Sequence, residues 1–146
     1  MRKINLRSDG GWTFMETLVA IAIVLVLTSS VGFVAIQNLD KARRATARSQ
    51  IDSFSVALES FYIDCGRYPT TEQGLSALWQ RPVVEPVSPF WNGPYILRPI
   101  PKDPWGNEYE YRVPGPYGLP YGIRSFAADG REGGDGKDAD ITSWEN

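Results

Sequence analysis

Hydrophobic positions fall into two regimes along this chain. From Leu18 to Ile36 the sequence reads LVAIAIVLVLTSSVGFVAI, apolar around the whole circumference of a helix and free of charge. At about 1.5 Å per residue such a run reaches across a bilayer core of about 30 Å. Past Ile36, apolar residues recur in helical steps at Leu39, Ala42 and Ala45, then at Ile51, Phe54, Leu58, Phe61 and Tyr62. Lys41, Arg43, Arg44, Arg48, Asp52 and Glu59 fall largely off that stripe. The pattern predicts one helix from about Thr13 to Tyr62, with a first half for lipid and an amphipathic second half that needs a covering domain on one side. Further on, Thr70 and Gln73 have the spacing of a capping box, predicting a short helix with Leu75, Leu78 and Trp79 on one face, stopped at Pro82. Tyr109, Tyr111 and Val113 alternate as a strand should, fed by a turn at Asp103-Pro104-Trp105-Gly106, and Tyr121 to Phe126 is a second strand candidate.

Composition sharpens the division. All 11 prolines lie at or beyond Pro69, and 11 of the 14 glycines at or beyond Gly66, so the long helix precedes a loop-rich head. With 15 basic and 17 acidic residues the net charge is -2, and no basic stripe interleaved with aromatics points to nucleic acid. There is no histidine and a single cysteine, Cys65, which removes Ser-His-Asp and Cys-His catalysis and the usual His/Cys zinc sites. One cysteine also excludes an internal disulfide, so a head this small needs another staple. The uncharged run is followed by no small-x-small motif of a secretory cleavage site. Arg2, Lys3 and Arg7 on one flank balance Lys41, Arg43, Arg44 and Arg48 on the other, so positive-inside counting does not orient the helix.

The start, "GWTFMETLVAIAIVLVL", is more specific. Glycine, an aromatic, and a glutamate ahead of a continuous apolar helix resemble the prepilin signature of the type IV pilin-like superfamily. The resemblance implies cleavage after Gly11 by a membrane peptidase and N-methylation of the new first residue, Trp12, which stands where phenylalanine is usual. It also implies a role in assembly for Glu16, the fifth residue of the mature chain. A carboxylate in the membrane costs roughly 2.5–3.5 kcal/mol, and the α-amino group of a neighbouring subunit would neutralise it. On its own, Glu16 is close enough to the helix start to reach the headgroups by snorkelling.

In the head, "GRYPTTEQGL" (Gly66 to Leu75) and "KDPWGNEYEY" (Lys102 to Tyr111) resemble the major pseudopilins of bacterial type II secretion systems. The implied fold is α+β and type IV pilin-like: a long N-terminal helix packed on a small antiparallel sheet. The implied organisation is a cleaved leader over 1–11, a transmembrane helix over 12–36, its amphipathic continuation over 37–63 and a periplasmic head over 64–146. The implied role is mechanical, not enzymatic: a single-pass inner-membrane subunit that polymerises into a periplasmic pseudopilus and helps drive folded proteins across the outer membrane. Its partners would be copies of itself, minor pseudopilins, the inner-membrane assembly platform and the prepilin peptidase, with no nucleic acid. A pilin of an extracellular type IV pilus and a membrane-anchored calcium-dependent binding module are the alternatives.

The chain ends in "SFAADGREGGDGKDADITSW", where Asp129, Glu132, Asp135, Asp138 and Asp140 face only Arg131 and Lys137. Crowded carboxylates in a glycine-rich loop call for solvation or a cation, and Ca²⁺ takes six to eight oxygens. The spacing is not that of an EF-hand. By resemblance, major pseudopilins bind one Ca²⁺ here, which assigns Asp129, Asp138, Asp140 and the backbone carbonyl of Phe126 as ligands, with Asp135 as an extra candidate. Calcium would then replace the absent disulfide. Ala127 stands where the resemblance has glycine, and Cys65 is expected to be a small, half-buried structural residue.

Overall fold

The computed structural model describes residues 13–145, with the side chains of residues 29–37 left aside. Gly11 and Trp12, the expected processing site, lie outside the described residues. The element order is one long helix, then a small antiparallel sheet threaded with short 3-10 turns, an α+β chain as expected.

Helix α1 spans Phe14–Cys65. Thr13 opens it: its hydroxyl accepts from the Glu16 amide at 3.2 Å and its carbonyl from the Thr17 amide at 3.1 Å. Gly66, at φ 71, closes it, since a left-handed residue turns the chain out of the helix at little cost only when it lacks Cβ. Pro69 follows and prevents resumption. The chain divides into two compact units, Met1–Leu39 and Asp40–Asn146. In the first, the apolar residues from Phe14 to Leu27 are largely exposed, Phe14 at 81% and Leu27 at 60%. Among the described residues no helix is long and apolar enough to cross a membrane.

In the second unit, α1 buries Ala47, Ile51, Phe54, Ala57, Leu58 and Phe61, one stripe in steps of three and four. That differs at its start from the expected stripe. Leu39, Ala42 and Ala45 are exposed, and Ala47 and Ala57 take the buried positions. Tyr62 is half exposed because its ring stacks on Tyr68 (centroids 4.8 Å apart) instead of entering the core.

The covering layer consists of β1 (Glu110–Arg112), β2 (Gly122–Ser125) and β3 (Ile141–Thr142), antiparallel in the order β1-β2-β3. Tyr111 pairs with Ile123 and Ser125 with Ile141, placing Tyr111, Ile123 and Ile141 in the core with the α1 stripe. On the other face the row is Glu110, Arg124, Thr142. All four β2 residues are nevertheless buried, so this outer face is covered too.

The capping box forms as expected. The Thr70 amide donates to Gln73 Oε1 at 3.0 Å, and the Gln73 amide to Thr70 Oγ1 at 3.2 Å. The short helix that follows is a 3-10 turn over Leu75–Leu78. Gly74 at φ 62 interrupts the chain directly after the box, and Trp79 is only half-buried beyond the buried Leu75, Ala77 and Leu78.

Candidate functional site

The acidic C-terminal loop is built outward from a buried turn. Asp103 is 4% exposed; its Oδ1 accepts from the amides of Trp105 (3.0 Å) and Asn107 (2.8 Å), and its Oδ2 from Ser125 Oγ (2.6 Å). A side chain that accepts from amides two and four residues on fixes the turn, and the third bond ties it to β2. Asn107 Nδ2 then donates to the Ala127 carbonyl at 3.1 Å, and the Ala127 amide donates to Ser125 Oγ at 3.2 Å. "DPWGN" and "SFAAD" are thus one hydrogen-bonded assembly. Ala127 sits at φ 48, a left-handed conformation that favours glycine, the residue the resemblance places there.

The loop then runs over the outer face of the sheet. The Phe126 carbonyl accepts from the Gly130 amide at 3.2 Å, and Asp129 Oδ1 from the Arg131 amide at 3.1 Å. Gly134 is at φ 90, and a Cβ there would meet the Asp138 carbonyl oxygen at 2.6 Å, so only glycine allows the loop to fold back. Asp135 and Asp138 bracket the 3-10 turn at Gly136–Asp138, the Asp138 amide donating to the Asp135 carbonyl at 3.2 Å. Asp140 Oδ2 accepts from the Gly133 amide at 3.0 Å. From α1, Arg44 Nη1 donates to the Ala139 carbonyl at 2.7 Å and Arg48 to the Glu145 carbonyl, clamping both ends of β3.

Arg124 holds the centre. Its side chain is 9% exposed and lies within 2.6 Å of Glu110, 2.7 Å of Glu132 and 3.5 Å of Asp140. Arg112 takes the other oxygen of Glu110 at 2.5 Å. Burial opposes the charge on Arg124, but Glu132 and Glu110 overcome it and raise its pKa above the ordinary arginine value. The hydrogen bond from Arg124 in turn holds Glu132 below the ordinary carboxylate range. Sequence reading missed this group and β3. The available signal was the strand alternation of "YGIRSF", which puts Arg124 on the face away from the core, directly before five acids.

Of the expected ligands, Asp129 and Asp135 are exposed, while Asp138 and Asp140 are half-buried. Among the described residues no three acids are gathered around one point for a metal ion. The donor chemistry still suits a hard cation, being carboxylate and carbonyl oxygen throughout. Asp140 Oδ1 is buried and has no hydrogen-bond partner among the described residues, the condition of an oxygen that fits a cation. Asp129, Asp138 and the Phe126 carbonyl would complete such a set by closing on Asp140. Glu16 lies in the first turn of α1, exposed, with its amide bonded to Thr13.

Comparison with known proteins gives one answer over most of the chain. The family model for protein G of the type II secretion system matches residues 34–144. The type II secretion system core protein G of Pseudomonas aeruginosa is 38% identical over 140 residues, covering 96% of this chain and 98% of that protein. That of Vibrio cholerae is 39% identical over 140 residues, covering 96% and 94%. The crystal structure of the major pseudopilin from the type 2 secretion system of enterohaemorrhagic Escherichia coli superposes with a TM-score of 0.62 at 39% identity, covering 75% of this chain and 92% of that one. The chain belongs to the type II secretion system protein G family.

Proposed function

We propose that this chain is the major pseudopilin of a type II secretion system, polymerising into a periplasmic pseudopilus that helps drive folded proteins across the outer membrane. The observation that carries the reading is the family match over residues 34–144, joined to the likeness to a solved major pseudopilin. The same comparisons favour it over a pilin of an extracellular pilus or a free-standing calcium-binding module. The role is mechanical; the chain lacks histidine, and its carboxylates suit a cation better than acid–base chemistry.

The apolar run Leu18–Ile36 anchors the subunit as a single pass in the inner membrane, with 1–11 as cleaved leader, 37–63 as the amphipathic continuation and 64–146 as periplasmic head. Exposure of the apolar side chains from Phe14 to Leu27 supports a lipid surrounding for that segment. Prepilin peptidase cuts between Gly11 and Trp12 and the new amino terminus is methylated. Copies of the chain assemble with one another, with minor pseudopilins and on the inner-membrane platform. Ca²⁺ held by Asp129, Asp138, Asp140 and the Phe126 carbonyl, with Asp135 nearby, draws the acidic loop closed; the buried, donor-less oxygen of Asp140 supports this.

The intact mass of protein extracted from membranes tests the reading. In cells with an active prepilin peptidase the chain should begin at N-methylated Trp12, and Gly11→Ala should leave most of it uncut. A mass matching residues 1–146 in such cells overturns the pseudopilin reading.

A further inference from the structure

We propose that Arg124 is a built-in counter-cation that fastens the acidic loop to the sheet without any bound metal. Glu110 lies directly across from Arg124, and their side chains share the face opposite the core. Glu110 Oε2 accepts from Arg124 Nε at 2.8 Å and lies 2.6 Å from Nη2, so one carboxylate occupies one side of the guanidinium. Arg112 Nε takes the other oxygen of Glu110 at 2.8 Å. The outer face of the sheet therefore presents two guanidinium groups and one carboxylate, a net charge of 2 − 1 = +1.

That surplus is met from the loop. Arg124 Nη1 points away from Glu110 and donates to Glu132 at 2.7 Å, with Asp140 at 3.5 Å. The Phe126 ring, at the root of the loop, lies 4.7 Å from the guanidinium carbon. A cation with a side chain only 9% exposed is stable there only if opposite charge surrounds it. The pairing works in both directions, since Arg124 needs the loop's acids and the loop's acids need a cation. A planar fork satisfies carboxylates on two sides at once, which a single ammonium does not. Anchoring by Arg124 is independent of calcium. Its consequence, that the loop relies less on a divalent cation than its five acids suggest, rests on the calcium reading above.

Trypsin reports on the loop directly, because Arg131 and Lys137 both lie in it. The full chain in detergent, in EGTA, should be cut slowly at these two positions. Arg124→Leu should be cut there at least tenfold faster, and Arg124→Lys, which keeps the charge but not the fork, at an intermediate rate. Glu132→Gln alters an exposed side chain, leaves the core intact, and should speed the cut after Lys137 several-fold, the site away from the changed residue. Millimolar Ca²⁺ should slow cutting more in Arg124→Leu than in the wild type. Wild-type rates in EGTA for both Arg124→Leu and Glu132→Gln overturn the proposal. So does cutting of Arg124→Leu that spreads equally to Arg67 and Lys102 while Glu132→Gln stays resistant, since Arg124 then supports the whole head and not the loop. If Ca²⁺ protects no variant but the variants are cut faster in EGTA, the calcium reading falls and the anchoring role stands.

Discussion

Asp140 divides its two oxygens between two environments. Oδ2 receives the Gly133 amide and the edge of Arg124, whereas Oδ1 is buried and receives no donor among the described residues. A buried carboxylate oxygen without a partner costs on the order of 1–3 kcal/mol, a cost that a coordinated cation removes. A ligand that binds only the folded state stabilises it by about 2.7 kcal/mol at a hundredfold excess over Kd. The detergent-solubilised chain should therefore melt several degrees higher in millimolar Ca²⁺ than in EGTA, with equal Mg²⁺ much less effective. Asp129→Ala and Asp140→Ala should abolish the difference, and Asp135→Ala should reduce it less. Melting curves that coincide with and without Ca²⁺ would leave a solvated loop held by Arg124 alone. At this scale the acids were legible, because five in one glycine-rich stretch stand out by composition. The departure at Ala127 was legible as well, and its φ of 48 shows why the position favours glycine. Arg124 was not, because its meaning depends on a cross-strand neighbour and on a loop that folds back over the sheet, both non-local facts.

Between elements, tyrosines carry much of the join of α1 to the rest of the head. Tyr68 Oη donates to Glu59 Oε1 of the helix at 2.9 Å, Tyr95 Oη to Asp64 Oδ2 at 2.9 Å, and Tyr109 Oη to Gln50 Oε1. Phe54 of the helix meets Tyr109 edge-on at 5.3 Å between centroids. Burial, with the nearby Glu59 carboxylate, raises Tyr68 to about 12, and burial likewise raises Tyr95, Tyr109, Tyr111 and Tyr121 above the ordinary value. A folded pKa above the unfolded one means that this contribution to stability is complete below pH about 10 and is lost as pH rises through the folded values. Phenolate absorbance of these five should therefore rise late, together with loss of the helical circular dichroism signal. Smooth titration near pH 10 with the helix intact would refute the packing described. The helix itself was readable to within three residues, since no breaker interrupts its amphipathic stretch; it runs on to Cys65 past the expected end at Tyr62 because the first residue to leave the helix is Gly66. The sheet was readable in two of its three strands. At two residues, β3 is too short for any alternation to register, and the capping box announces a short helix without telling whether it is α or 3-10.

At the scale of the molecule, Glu16 belongs to the first unit and the acidic loop to the second, and their proposed roles differ accordingly. Locally, Glu16 is an acid in the first turn of α1, and an anion near a helix N-terminus is favourable by about 0.3–1 kcal/mol. A helix as long as Phe14–Cys65 does not depend on a term of that size, because its outer half is held by the head's core. On the proposed membrane placement the larger quantity is the roughly 2.5–3.5 kcal/mol of placing a carboxylate there, which a neighbour's amino terminus would offset only in an assembled fibre. Glu16→Ala should accordingly insert, be cut after Gly11 and keep its helical content and melting temperature, yet yield few or no fibres when sheared or crosslinked from an overproducing strain. A loss of helix with normal assembly of the remaining folded protein would instead make Glu16 a capping-turn residue. Fibre yields equal to wild type, with the helix intact, would show that the carboxylate reaches the headgroups unaided and that the subunits assemble without it.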